Sequence, residues 1–370
     1  MKNKQTDSID LTKIHTICIN CCGLLGDTLI RVPVIEAVAN TCPQAKITVI
    51  TDPGREILLK NHPDVDETIA FDRRKKPLFT YIKSLMKFVR QLRKAHYDVM
   101  INLYTGGSSS GITKFSQAKY RLGFYRNRKE KSCYTHGIAY PHYRWDSGMY
   151  HWGQQFGLLL QPFGLGVNDL HAGTTFIPTT NARQQASKYI ANIKQSLVLI
   201  NMGAGDIRKI WAIKKYVTLA NWLQQTYNYH IGIFVNPGQE DLVRVFEQLA
   251  SVEQFTKFTT FNLSDLNIIG ALRQKAKFVI SGDTGLLHLA IGVKTPTLAI
   301  LTHTRPENVQ PKDVLFMPCF IEDKNKKNAF GIALGFADLS VEYIRGKIQQ
   351  LQKKLSESTL TILNGKSSPS

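Results

Sequence analysis

The chain has 370 residues, enough for two domains of about 100–200 residues each. Hydrophobic residues make up 43% and charged residues 20%, which excludes collagen, coiled coil and low-complexity disorder. Lys and Arg outnumber Asp and Glu by 47 to 28, a net charge of +19, and this surplus favours an anionic partner: nucleic acid, an anionic membrane face or a phosphorylated substrate.

The N-terminus mixes charges into its first apolar run and lacks the h-region of a signal peptide. No stretch reaches the roughly 18 apolar residues of a membrane span. The sequence therefore predicts a cytoplasmic protein. In chain order, β-branched runs predict strands at 14–20, 46–51, 68–71 and 99–103, with helices at 27–40 and 79–95 between them. The second half repeats the rhythm. Strands are expected at 197–201, 230–235, 278–281 and 297–301, and helices at 214–226, 240–250, 263–274 and 286–292. A last helix, about 340–355, precedes a Ser-rich tail expected to be disordered.

Strands alternating with helices imply βαβ units and parallel sheets. Two such series predict an α/β protein of two doubly wound domains. We set the domains at 1–178 and 179–338, with 339–370 as terminal helix and tail. The linker falls at about 169–181, where Gly173 and Pro178 stand among Thr pairs. Six cysteines, three of them crowded at Cys18, Cys21 and Cys22, do not make a disulfide framework. No second Cys/His pair follows at a zinc spacing, so no metal site is expected.

Ligands of open α/β sheets bind at the carboxyl ends of strands, and the motifs stand there. Gly23-Leu24-Leu25-Gly26-Asp27-Thr28 follows the first strand. Asp27 reads either as a helix cap or as a carboxylate able to take a proton. Gly203-Ala204-Gly205, with Lys209 and Trp211, follows a second-half strand. Small residues there let backbone approach a phosphate, and Lys209 reads as its counter-charge or as a solvated cation; Trp211 reads first as packing. Ser281-Gly282-Asp283-Thr284-Gly285-Leu286 runs from a strand into a helix, whose first N–H groups form an anion site. His288 shares a face with Thr284 and reads as either ligand contact or core; Asp283 is a contact or a cap. Glu240 is either a first-turn helix residue or an acid facing a ribose diol.

Together these motifs resemble glycosyltransferase family 9, the lipopolysaccharide heptosyltransferases. The resemblance rests on Gly26-Asp27 with Pro33, Pro43-Gln44-Ala45-Lys46-Ile47, Tyr97-Asp98 with Asn102-Leu103, and Arg121-Leu122-Gly123-Phe124. In the second half it rests on Gly203-Ala204-Gly205 with Lys209 and Trp211, and on Asp283-Thr284-Gly285 with His288-Leu289-Ala290 and Thr295-Pro296-Thr297. Six motifs in register cover about 14–311. The chain departs from the family pattern at Asn102, at Ala212, across 301–306 and at the lone late Cys319.

The resemblance implies a GT-B fold, two Rossmann-like domains facing a cleft. It implies an ADP-heptose donor on the C-terminal domain, a lipid-linked oligosaccharide acceptor on the N-terminal one, and inverting chemistry without metal or other cofactor. Asp27 would be the general base. Lys209 would hold donor phosphate and Glu240 the ribose. Gly203, Ala204, Gly205, Asp283, Thr284, Gly285, Leu286 and His288 would line the donor site, with Gly26, Thr28 and Arg121 on the acceptor side. The core sugar accepted, Kdo or heptose, is left open. So are another nucleotide sugar as donor and a protein acceptor.

Residues 73–94 carry nine basic residues and no acid. On a helix Lys83, Lys87, Arg90 and Lys94 form one stripe, and Ile82, Leu85, Met86, Val89 and Leu92 another. The basic stripe reads as a solvated face over a core stripe, or as a docking face for anionic lipid. A second basic cluster spans 119–131. Both fall in the acceptor domain, as expected of a peripheral protein on the inner face of the inner membrane. A nucleic-acid partner is not expected, since no binding module accompanies the charge.

Overall fold

The computed structural model describes residues 8–73, 77–106, 108–141, 147–203, 209–234, 238–253, 257–328, 331–335 and 338–365, the side chains of 358–365 excepted. The chain divides into two compact units. The first is Met1–Thr179 with the segment Glu307–Lys312, and the second is Thr180–Pro306 with Asp313–Ser370. That short segment returns to the first unit, where Lys312 N–H donates to Ala172 O at 2.9 Å.

The first unit holds a six-stranded sheet in the order β3-β2-β1-β4-β5-β6. The strands are β1 (Thr16–Asn20), β2 (Lys46–Thr51), β3 (Glu67–Ala70), β4 (Val99–Asn102), β5 (Tyr120–Tyr125) and β6 (His136–Ala139), all parallel. The second unit repeats the plan with β7 (Leu197–Asn201), β8 (His230–Phe234), β9 (Phe258–Thr260), β10 (Phe278–Gly282), β11 (Thr297–Ile300) and β12 (Phe316–Cys319). Its order is β12-β11-β10-β7-β8-β9, again parallel. The expected α/β class with two doubly wound sheets is borne out. Strands β4, β7, β10 and β11 are buried along their whole length, as parallel strands covered on both faces must be. A two-stranded antiparallel pair, β13 (Glu322–Lys327) and β14 (Ala333–Gly335), follows.

In each sheet the chain reverses direction beside its first strand. β1 lies between β2 and β4, and β7 between β8 and β10. Such a switch point opens a crevice at the carboxyl ends of the two central strands. The loops after β1, β4, β7 and β10 therefore make the places where each unit can hold a ligand.

The expected helix at 27–40 is two helices, Leu25–Ile30 and Val32–Thr41, broken at Arg31. Pro33 is the reason. It has no N–H to give to Leu29 O one turn earlier, and that carbonyl accepts the Thr174 hydroxyl at 2.6 Å instead. The last helix spans Val341–Gly365 and runs past the expected end near 355 into the stretch read as tail. Ile344, Ile348 and Leu351 pack with Val198, Trp211 and Phe278 in the second unit's core.

Candidate active site

At the first switch point, Cys21, Cys22 and Gly23 carry the chain from β1 into the helix Leu25–Ile30. Gly23 is required by close approach: a Cβ there would lie 2.6 Å from Asp27 Cβ and 2.8 Å from Arg31 Nη1. Asp27 sits in the helix's first turn and its Oδ2 accepts the Leu24 N–H at 3.0 Å. It is thus an N-terminal capping group, and it remains exposed. Thr28 is buried, and its hydroxyl donates back to Leu24 O at 3.1 Å. Gly26 lies within the same turn.

Asp27 lines two cavities. One, of about 310 Å³, is walled by Ile30, Arg31, Leu103, Tyr104, Tyr140, Trp152 and Phe156 among others. The other, of about 460 Å³, is walled by Gly23, Leu24, Asp52, Arg55, Arg73 and Tyr104 among others. Aromatic rings dominate the first, while charges dominate the second.

Several residues that sequence reasoning gave no role hold this loop. Asp52, just after β2, accepts the Gly23 N–H at 2.8 Å and pairs through both oxygens with the Arg73 guanidinium. Arg73 lies 4.0 Å from the Tyr104 ring centroid, and burial opposed by Asp52 leaves it firmly cationic, its pKa raised. Arg31 donates to Cys21 O at 3.0 Å and to Cys22 O. The only sequence signal was position: Asp52 and Arg73 each follow a strand's carboxyl end.

Asn102 closes β4. Its Oδ1 accepts from Asn20 Nδ2 at 2.9 Å, and its Nδ2 donates to Tyr134 Oη at 2.8 Å and Ser109 Oγ at 3.2 Å. The amide can donate as well as accept, so the departure to Asn here belongs to a neutral buried network. Asp98 of the Tyr97-Asp98 motif is structural: its Oδ2 accepts the His15 and Thr16 N–H groups at 2.9 and 3.0 Å.

Arg121 is not brought to Asp27. It is the second residue of β5, toward the amino end of the sheet, and donates to Ala118 O at 2.7 Å and Cys133 O at 3.1 Å. Burial pushes the Cys21 and Cys22 thiols up to about 12, so neither is poised as a nucleophile. Among the described residues no group of three or more His, Cys, Asp or Glu is placed to hold a metal ion.

At the second switch point, Lys209 and Asp283 meet. Lys209 Nζ donates to Asp283 Oδ2 at 2.6 Å, and the Thr304 hydroxyl donates to the same oxygen at 2.6 Å. Asp283 is nearly buried and Lys209 partly exposed, so the acid anchors an ammonium that still reaches solvent. Thr284 caps the helix Gly285–Gly292. Its Oγ1 accepts the Leu286 N–H at 3.1 Å and the Asn201 Nδ2 at 3.0 Å. Among the first N–H groups expected to form an anion site, that of Leu286 is therefore already engaged. His288 is buried one turn along the same helix. Gly203 follows β7 and is buried; Ala204 and Gly205 lie outside the described residues.

Trp211 is core, 1% exposed, with its Nε1–H on Leu339 O at 2.9 Å. Glu240, at the carboxyl side of β8, is exposed. Its carboxylate accepts the Gly238 N–H at 2.9 Å, and that bond with its own N–H holds its pKa below the usual range.

A family model described as glycosyltransferase family 9 (heptosyltransferase) matches residues 85–331. The chain is 24% identical over 290 residues to lipopolysaccharide heptosyltransferase 3 of Escherichia coli K12, covering 75% of this chain and 80% of that protein. It is 22% identical over 329 residues to the lipopolysaccharide core heptosyltransferase OpsX of Haemophilus influenzae, covering 85% and 87%. The solved structure of E. coli ADP-heptose lps heptosyltransferase II superposes with a TM-score of 0.75 at 16% identity, over 93% of this chain and 99% of that one. The family model spans well over half of the chain, and the two-sheet architecture is that of the heptosyltransferase structure. The chain belongs to glycosyltransferase family 9 and is a glycosyltransferase.

Proposed function

We propose that the enzyme transfers a heptose, with inversion and without a metal, from ADP-heptose to an inner-core sugar of lipopolysaccharide, Kdo or heptose. The observation that carries the reading is Asp27: an exposed carboxylate at the switch point of the first sheet, on the wall of two cavities. The names of the two curated relatives support the sugar and the acceptor.

In this reading the acceptor sugar enters beside Asp27, its ring against the aromatic wall of Tyr104, Tyr140, Trp152 and Phe156. Asp27 takes the proton of the attacking hydroxyl, a contribution of about 10²–10⁴-fold. Arg121 acts on the acceptor side only at a distance, by fixing the start of β5. The hydroxyl oxygen bonds to the anomeric carbon as the bond to the diphosphate breaks on the opposite face. The departing ADP gathers negative charge, which Lys209, oriented by Asp283, and the helix start at Thr284 and Gly285 stabilise. The small side chains of Gly203, Ala204 and Gly205 suit a segment that binds the diphosphate. Glu240 meets the ribose. Leu286 and His288, buried in the same helix, support the donor site from behind its N-terminal turn. The lipid-linked acceptor calls for peripheral contact with the anionic inner face of the inner membrane through the basic first unit.

A second reading keeps the fold and chemistry but changes the sugar or uses a protein acceptor. It is favoured by the departure at 301–306, because Thr304 from that segment bonds Asp283 itself. Purified full-length protein, given ADP-heptose or other nucleotide sugars with a deacylated inner-core acceptor, separates the two. We expect ADP release and a product heavier by one heptose. Turnover of a different nucleotide sugar, with ADP-heptose inert, would overturn the assignment.

A further inference from the structure

The helix Leu78–Lys94 crosses from β3 to β4. Phe88 and Leu92 are buried against the first unit, where they join the cluster of Ile50, Ile69 and Phe71, and Leu85 packs half-buried against it. The expected core stripe is therefore only half core. Leu78, Phe79, Ile82 and Met86 are 73%, 80%, 42% and 48% exposed. Leu78, Ile82 and Met86 recur every four residues and so share one face, with Phe79 beside them. Lys83, Lys87, Arg90 and Lys94 form the adjoining stripe, all exposed. The apolar arc of the helix is wider than its seat on the protein, and its outer edge borders a cationic row.

Chemistry selects the occupant. A protein partner's apolar patch would need acidic side chains set to match the row. An anionic bilayer surface supplies both an apolar phase and unlimited negative charge, and helices with this division of faces lie in the interface plane. The five basic residues and no acid of 78–94 fit the same surface.

The position on the fold is informative. The chain leaves β3 at the carboxyl edge of the sheet, so the first half of the helix lies on that edge, the one bearing Asp27. Tyr81 Oη lies 2.8 Å from Ser108 Oγ, tying the helix start to the loop after β4, and Tyr104 of that loop lines both Asp27 cavities. All four exposed apolar residues fall in this half.

We infer that the first half of the helix Leu78–Lys94 inserts Leu78, Phe79, Ile82 and Met86 into the interface of an anionic bilayer, beside the mouth of the Asp27 cavities. The insertion rests on the peripheral-membrane part of the proposed function. It adds an apolar anchor to the electrostatic one.

The test is co-sedimentation of the full-length protein with phosphatidylcholine vesicles and with mixed phosphatidylcholine–phosphatidylglycerol vesicles, at low and high salt. The wild type should partition onto the mixed vesicles and keep part of that binding at high salt. The variant Leu78→Ser/Phe79→Ser/Ile82→Ser/Met86→Ser should lose at least about tenfold in partitioning at low salt and nearly all of it at high salt. Lys83→Gln/Lys87→Gln/Arg90→Gln should weaken binding and flatten its salt dependence. Equal binding by wild type and the four-serine variant would overturn the inference. So would a wild-type dimer that the serines dissolve without changing vesicle binding, which would show a second copy on this face. Transfer to a deacylated acceptor separates the two readings. If docking alone is wrong, wild type and variant both still transfer; if the transferase reading is wrong, neither transfers and the vesicle result stands by itself.

Discussion

Asp27 caps its own helix and faces two cavities, and one substitution separates these roles. Asn keeps an oxygen that can accept the Leu24 N–H but is no longer a base. Asp27→Asn should lower turnover by about 10²–10⁴-fold while the thermal midpoint and ADP affinity stay at wild-type values. A large fall in midpoint would assign the carboxylate to capping. Lys209→Met should weaken ADP binding by about 10- to 100-fold, the worth of a charge-assisted hydrogen bond, as read by calorimetry. Asp27, Lys209 and Asp283 were legible in the sequence because parallel sheets gather ligand groups at strand ends. Asp52, Arg73 and Tyr104 were not. Their part depends on an ion pair, a ring stack and a backbone bond between residues far apart in the chain, which no local spacing reveals.

At the scale of elements, the break at Arg31 determines where the Asp27 turn ends. The Thr174 hydroxyl serves the carbonyl that Pro33 leaves open. Thr174→Val should therefore cost about 1–3 kcal/mol, the penalty of a buried acceptor left unpaired, measured by urea denaturation. The strongest strands, KITVIT and LVLIN, were legible to the residue as β2 and β7, because continuous β-branched and aliphatic runs suit strands buried on both faces. β5, β6, β9 and β12 were not read. β5 (YRLGFY) carries an Arg and a Gly, and the Gly is there because a Cβ at 123 would meet the Tyr134 ring at 2.3 Å. β6 is an edge strand no residue of which is fully buried, and β9 has three residues. Such segments become strands only beside a partner already in place. The helix Leu78–Lys94 shows the reverse error: its apolar period was clear, but period alone does not tell a core stripe from an exposed one.

At the scale of the molecule, two sheets of one topology carry different chemistry at equivalent positions. The first offers an open carboxylate and the second an anchored ammonium with a helix start, which the proposed mechanism uses as base and as leaving-group stabiliser. No helix among the described residues is long and apolar enough to cross a membrane, and the basic first unit is where a lipid-borne acceptor is expected. The most direct test compares, by mass spectrometry, lipopolysaccharide cores from cells carrying the gene, cells lacking it, and cells complemented with the Asp27→Asn form. The account predicts loss of one heptose and everything beyond it in the second and third, and restoration only by wild type. An unchanged core in cells lacking the gene would contradict it.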